Sequence, residues 1–173
     1  FANDHREIIE EAVGLYDKDM GFDEEDSGEF YRSDFYETFD NLGLYWKIPT
    51  IRCFHSIVPP SIMEFYPEVG VTRDVSSYPD YELYALRSLL SVKYLYADVD
   101  DIPDDPEIYS PVEGFTYLCE KNGYYIYTND NYIPMGFTYD HYITENEFLS
   151  LSEEDRGKIL VSAGVLKTNQ IPR

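Results

Sequence analysis

The residues best placed to do chemistry lie in the phrase Arg52-Cys53-Phe54-His55-Ser56. On an extended segment positions 53 and 55 point the same way, so a thiol and an imidazole can meet there. The structural alternative is packing of both on a sheet face. His5, His55 and His141 are scattered, without carboxylates or thiols at ligand spacing, so no zinc site is expected. The densest carboxylate group, Asp98, Asp100, Asp101, Asp104 and Asp105, lacks the glycine and terminal glutamate of an EF-hand. It reads as a solvated loop, with weak calcium binding as the alternative. Paired carboxylates for glycoside hydrolysis are available anywhere in so acidic a chain, but nothing marks a particular pair. GxSxG, HExxH, P-loop and GxGxxG signatures do not occur. No catalytic residue, metal ligand or cofactor is therefore assigned.

The chain carries 13 basic and 34 acidic residues among 173, a formal charge of −21. Such a surface repels phosphate backbones, which disfavours nucleic-acid partners and direct contact with anionic lipid. Aromatic residues make up 17% of the chain, including 18 Tyr. Tyrosine joins apolar area to a polar tip, which suits both sheet faces and sugar-stacking surfaces. Trp46 is the single tryptophan. It reads as a core anchor, or as a platform for a sugar ring. Cys53 and Cys119 allow one disulfide or two free thiols. No apolar run approaches the ~20 residues of a membrane-spanning helix. The chain starts at Phe1 with no methionine or signal peptide, and it is expected to be one domain, 1–173, excised from a longer protein.

The elements that must position these residues centre on a hairpin. Phe115–Glu120 and Tyr124–Thr128 flank Asn122-Gly123, a strong type I′ turn signal. A two-residue turn sets Lys121 opposite Tyr124, Cys119 opposite Ile126 and Leu118 opposite Tyr127. Tyr117, Cys119 and Ile126 then share one face, and Leu118, Tyr125 and Tyr127 the other. With apolar residues on both faces, the hairpin is expected inside the sheet, with a third strand at Met135–Tyr142.

An amphipathic helix is expected over 4–20, with Asp4 and Glu7 as a capping box, followed by an acidic loop at 23–28. One strand or two short ones are expected at Phe30-Tyr31-Arg32 and Phe35-Tyr36, and another at Trp46–Phe54, interrupted at Pro49. Ser61 with Glu64 predicts a capped helix ending before Gly70. A ten-residue helix from Pro79-Asp80 carries Leu83, Leu86, Leu89 and Leu90, and leads into a central strand at Val92–Tyr96. Asp98–Pro111 reads as a loop. Thr144 with Glu147, and then Ser152, start two further short helices. The expected fold is α+β: a mostly antiparallel mixed sheet with a central hairpin and peripheral short helices.

Several phrases, in order, resemble the extracytoplasmic segment of the YfhO family of bacterial multi-spanning membrane proteins. They are Asp40-Asn41-Leu42-Gly43-Leu44, Phe54-His55-Ser56, Leu89-Leu90-Ser91-Val92-Lys93-Tyr94, Tyr125-Ile126-Tyr127-Thr128-Asn129 and Ile133-Pro134-Met135-Gly136-Phe137, then the region Phe148–Leu166. The family tends to an acidic residue where Thr128 stands here. The resemblance implies a cell-envelope role at the extracytoplasmic face of the cell membrane. Family members resemble glycosyltransferases that take a sugar from a polyprenyl-phosphate carrier and add it to a polymer such as lipoteichoic acid. It further implies that this segment is non-catalytic and helps to hold the acceptor or donor sugar. Its partners would be the rest of the same membrane protein and a cell-surface glycan or polyprenyl-linked sugar. The alternative is a non-catalytic carbohydrate-binding or envelope-assembly module, and a third is a free-standing hydrolase. Asn41, Trp46, His55 and Asn129, at strand ends and loop junctions, are the candidate contact residues.

Overall fold

The computed structural model describes residues 19–21, 28–72 and 74–171. Except for its last two residues, the helix expected over 4–20 lies outside the described residues, as does the acidic loop apart from Gly28.

Four strands form a mixed sheet in the order β1-β2-β4-β3: β1 (Arg32–Phe35), β2 (Val92–Asp98), β3 (Phe115–Lys121) and β4 (Tyr124–Asn129). β1 pairs parallel with β2, whereas β2–β4 and β4–β3 are antiparallel. Short helices surround this sheet, and the fold is α+β. They are α1 (Leu42–Trp46), α2 (Pro60–Glu68), α3 (Tyr84–Leu89), α4 (Glu145–Ser150) and α5 (Glu153–Ile159). Two further strands, β5 (Tyr142–Thr144) and β6 (Gly164–Leu166), make a separate parallel pair.

The hairpin forms at its predicted turn, with φ of 52° at Asn122 and 84° at Gly123. Lys121 opposes Tyr124 and Cys119 opposes Ile126, as the turn dictates. Beyond Cys119 the register shifts, and Tyr127 faces Tyr117 in place of Leu118. The extra residue is a β-bulge, which reverses the faces of everything N-terminal to it. Tyr117 thereby joins Tyr125 and Tyr127, at 5.9 Å from each ring, while Leu118 turns to solvent. β4 is an inner strand and β3 the sheet edge.

Both faces of the sheet are covered. Met20, Phe35, Leu42, Trp46, Tyr96 and Ile126 pack on one side; Val92, Leu95, Val112, Phe115 and Tyr127 pack on the other. β2 is central and nearly continuously apolar, as a strand covered twice must be. A third cluster joins α2, α3 and the β5–β6 region through Tyr66, Val69, Leu86 and Phe148.

Three expected elements differ. The Trp46–Phe54 strand does not form: Trp46 ends α1, and Lys47 caps it with φ of 57°. After Pro49, only Thr50 forms a bridge, to Ser33. No strand forms at 135–141, where Gly136 adopts φ of 90° and Pro134 offers no N–H; pairing starts at Tyr142. The ten-residue helix shrinks to α3, and the Pro79 and Asp80 carbonyls ahead of it accept from the Arg87 guanidinium. Pro59 takes the N-cap of α2, which places Ser61 inside the helix and leaves its expected capping box unformed. By contrast Thr144 and Glu147 make the reciprocal box, and Ser152 caps α5 as expected.

Candidate functional site

The segment after Pro49 runs extended without belonging to a ladder. Ile51 N–H donates to the Ser33 carbonyl at 3.2 Å, which ties the segment to β1. Alternation then sends Arg52 inward and Cys53 and His55 to the other side. Phe54 N–H donates to Asn41 Oδ1 at 3.0 Å, and His55 N–H donates to the Val75 carbonyl at 2.7 Å. The segment is therefore held from both flanks.

Beneath it lies a cleft of about 360 Å³, within the ordinary range for a small-ligand site. Its walls are largely apolar, with Ile51, Val58, Ile62, Phe65, Tyr66 and Leu90 among them. Polar groups come from Arg32, Cys53, His55, Ser61 and Ser77. Cys53 Sγ contacts His55 Nε2, so the side-by-side placement read from positions 53 and 55 is realised. Both cysteines are free. Burial, and secondarily the Asp40 carboxylate, push the Cys53 thiol up from its ordinary value. Both causes disfavour the thiolate, and an imidazole nitrogen touches the sulfur. Arg32 Nη1 donates to the Leu90 carbonyl at 2.9 Å, and the guanidinium makes no carboxylate pair among the described residues. No three His, Cys, Asp or Glu side chains among the described residues are grouped to hold a metal.

Arg52, next to Cys53 in the chain, belongs to a buried charge cluster outside the cleft lining. Asp34 and Arg87 are fully buried, and Arg87 donates to Asp34 Oδ2 at 2.9 Å. Arg52, 2% exposed, brings Nε to 3.7 Å from Asp34 Oδ1. It donates to Tyr81 Oη at 2.8 Å and stacks over the Tyr78 ring at 3.6 Å. Burial opposes the Arg52 charge, but Asp34, Tyr81 and Tyr78 outweigh it and raise the guanidinium above its ordinary value. The sequence reading missed this cluster. Its visible signal was Arg87 lying within the apolar pattern Leu83, Leu86, Leu89 and Leu90, where a charge has to be buried and paired.

The four candidate contact residues fall in three places. His55 is exposed at the cleft, and Asn41 braces the same segment from the turn before α1. Trp46 is 7% exposed, with its ring 4.9 Å from Tyr124 and 5.5 Å from Phe35 in the first core cluster. Asn129, also buried, donates to the Val92 carbonyl at 2.9 Å and accepts from Asn131 N–H. The fold ties Asn41 to the backbone next to His55 and leaves Trp46 and Asn129 as internal ties of the sheet.

The fold is thus α+β, with a well-formed cleft among the described residues beside a braced segment. The family model described as bacterial membrane protein YfhO matches residues 7–172, and the chain belongs to that family. No curated protein and no solved structure matches it. No helix among the described residues is long and apolar enough to cross a membrane.

Proposed function

We propose that this chain is an extracytoplasmic domain of a membrane glycosyltransferase-like protein. That protein transfers a sugar from a polyprenyl-phosphate carrier to a cell-envelope polymer of the lipoteichoic acid type. The domain acts as one unit, lacks the catalytic residue itself, and holds glycan against the membrane-embedded part of the same protein. The observation that carries this reading is the family match across 7–172. The cleft supports it, since a preformed cavity with apolar walls and polar edges is how a non-reacting domain would hold a sugar. Within this proposal His55 contacts ligand directly, Asn41 sets its position, and Trp46 and Asn129 keep the underlying sheet in place.

The test is polymer glycosylation by the full-length protein in cells. Deleting the domain should abolish it, and His55→Ala should weaken it while leaving membrane expression unchanged. Full glycosylation after deletion would overturn the proposal. Sugar transfer by this chain alone would overturn its non-catalytic part.

The aromatic wall formed by Phe65 and Tyr66 favours a second reading, a glycan-binding module active in its own right. Titrating the chain with teichoic-acid fragments by NMR separates the two. Shifts around His55 and Phe65 at millimolar glycan support the module, and silence supports a site that is complete only beside the membrane part.

A further inference from the structure

The paired thiol and imidazole have a chemistry of their own. Cys53 and His55 touch each other at a cleft able to hold a small molecule. A nucleophile beside a base is the minimal unit of covalent capture. Two electrophile classes compete: acyl carbonyls and disulfide sulfurs.

The local backbone decides between them. Acyl transfer needs N–H donors aimed at a developing oxyanion. The N–H groups following Cys53 are already used, Phe54 by Asn41 Oδ1 and His55 by the Val75 carbonyl. Thiol–disulfide exchange places no charge on oxygen. It needs a thiolate, access and a competent leaving thiol.

Arg32 adds selectivity. In a chain of net charge −21, it brings to this cleft a guanidinium that makes no carboxylate pair among the described residues. An incoming carboxylate would find there the partner that the rest of the surface denies it.

We propose that the cleft captures small acidic disulfides covalently, with Cys53 as nucleophile, His55 as proton acceptor and Arg32 as carboxylate anchor. His55 takes the Cys53 proton, and the sulfur attacks one sulfur of the disulfide. A new S–S bond joins Cys53 to half of the molecule as the original S–S bond breaks. The departing thiolate leaves with the proton from His55. The incoming disulfide is the oxidant, and the released thiol is its reduced half. Cys119, packed against the first core cluster on β3, lies outside the cleft and contacts no imidazole among the described residues.

The test is timed incubation of the 173-residue chain with glutathione disulfide, read by intact mass and peptide mapping. Although burial disfavours its thiolate, Cys53 should be modified faster than Cys119 through the touching imidazole, and His55→Ala should erase most of that advantage. The exposed position of His55 makes its substitution mild, and an unchanged Cys119 rate reports an intact fold. Arg32→Gln should slow reaction with glutathione disulfide but not with uncharged 2-hydroxyethyl disulfide, and Arg32→Lys should restore the preference. Equal rates at the two cysteines, or a Cys53 rate indifferent to His55→Ala, would overturn the capture site. Equal slowing of both reagents by Arg32→Gln would overturn the anchor.

Discussion

Arg87 and Asp34 meet at 2.9 Å with neither side chain reaching solvent, and Arg52 approaches the same carboxylate from the other side. One anion therefore compensates two buried cations. Removing Asp34 strands both guanidiniums, whereas removing Arg52 leaves a neutral pair. Asp34→Ala is expected to cost about 3–5 kcal/mol, the usual range for breaking a buried pair. Arg52→Met, which removes as many heavy atoms, should cost less. Urea unfolding midpoints at unchanged m-value check the order, and a larger loss in Arg52→Met would refute it.

Gly43 sits where a Cβ would come within 2.6 Å of Thr50 Cγ2 and 3.1 Å of the Ile48 carbonyl oxygen. Gly43→Ala should destabilise by about 1–3 kcal/mol through overpacking. Thr50→Ser removes the offending methyl but keeps the hydroxyl that accepts from Arg52 N–H. The double variant should therefore recover part of the loss. Strict additivity in a double-mutant cycle would show that the clash is not the cause.

Burial, then the Asp98 carboxylate, push the Tyr124 phenol up to about 12; burial, then Tyr125 and Tyr117, do the same for Tyr127. An unfolded tyrosine titrates near its ordinary value of 10. Between those values the unfolded chain holds fewer protons than the folded one, so stability falls as pH rises. The contribution is complete below pH 10 and is lost between about 10 and 12. Thermal melts should show a decline in that window, reduced in Tyr124→Phe; a flat profile would exclude it.

Asn129 uses its amide as a donor toward the Val92 carbonyl and Ser88 Oγ. Asn129→Asp replaces that donor with a buried carboxylate facing a carbonyl oxygen. A loss of about 2–4 kcal/mol is expected, from an unpaired buried group and a desolvated charge. Wild-type stability in this variant would mean that Asn129 is not a tie of the sheet.

Most local chemistry was legible in the sequence, the unformed box of Ser61 with Glu64 being the exception. Asn122-Gly123, Thr144 with Glu147, and Ser152 each act within a few residues, and each forms the predicted turn or cap. The bulge beside Leu118 was not, because nothing within β3 marks it; it is visible only in the pairing of Tyr117 with Tyr127. The segment 46–54 was misread for a related reason. Its aromatic residues suit a strand, but Gly43 packs against Thr50 across a turn at Lys47. At the site, the i, i+2 relation of Cys53 and His55 was readable, whereas the cleft was not. Its walls come from residues as distant as Arg32, Phe65 and Leu90, and only the folded chain assembles them.

The parallel pairing of β1 with β2 also has a kinetic meaning. β3 and β4 close over two residues, whereas β1 can reach β2 only after the whole of 36–91 has been looped. Closing so long a loop costs entropy before any contact rewards it, so the hairpin is favoured to form early and β1 to dock late. Arg32, Ser33 and the segment bridged to it travel with β1, and so the cleft would be the last part of the sheet region to appear. Substitutions in β1 should then speed unfolding with little effect on refolding, while those at the hairpin turn should slow refolding. The reverse pattern in stopped-flow chevrons would place β1 in the nucleus.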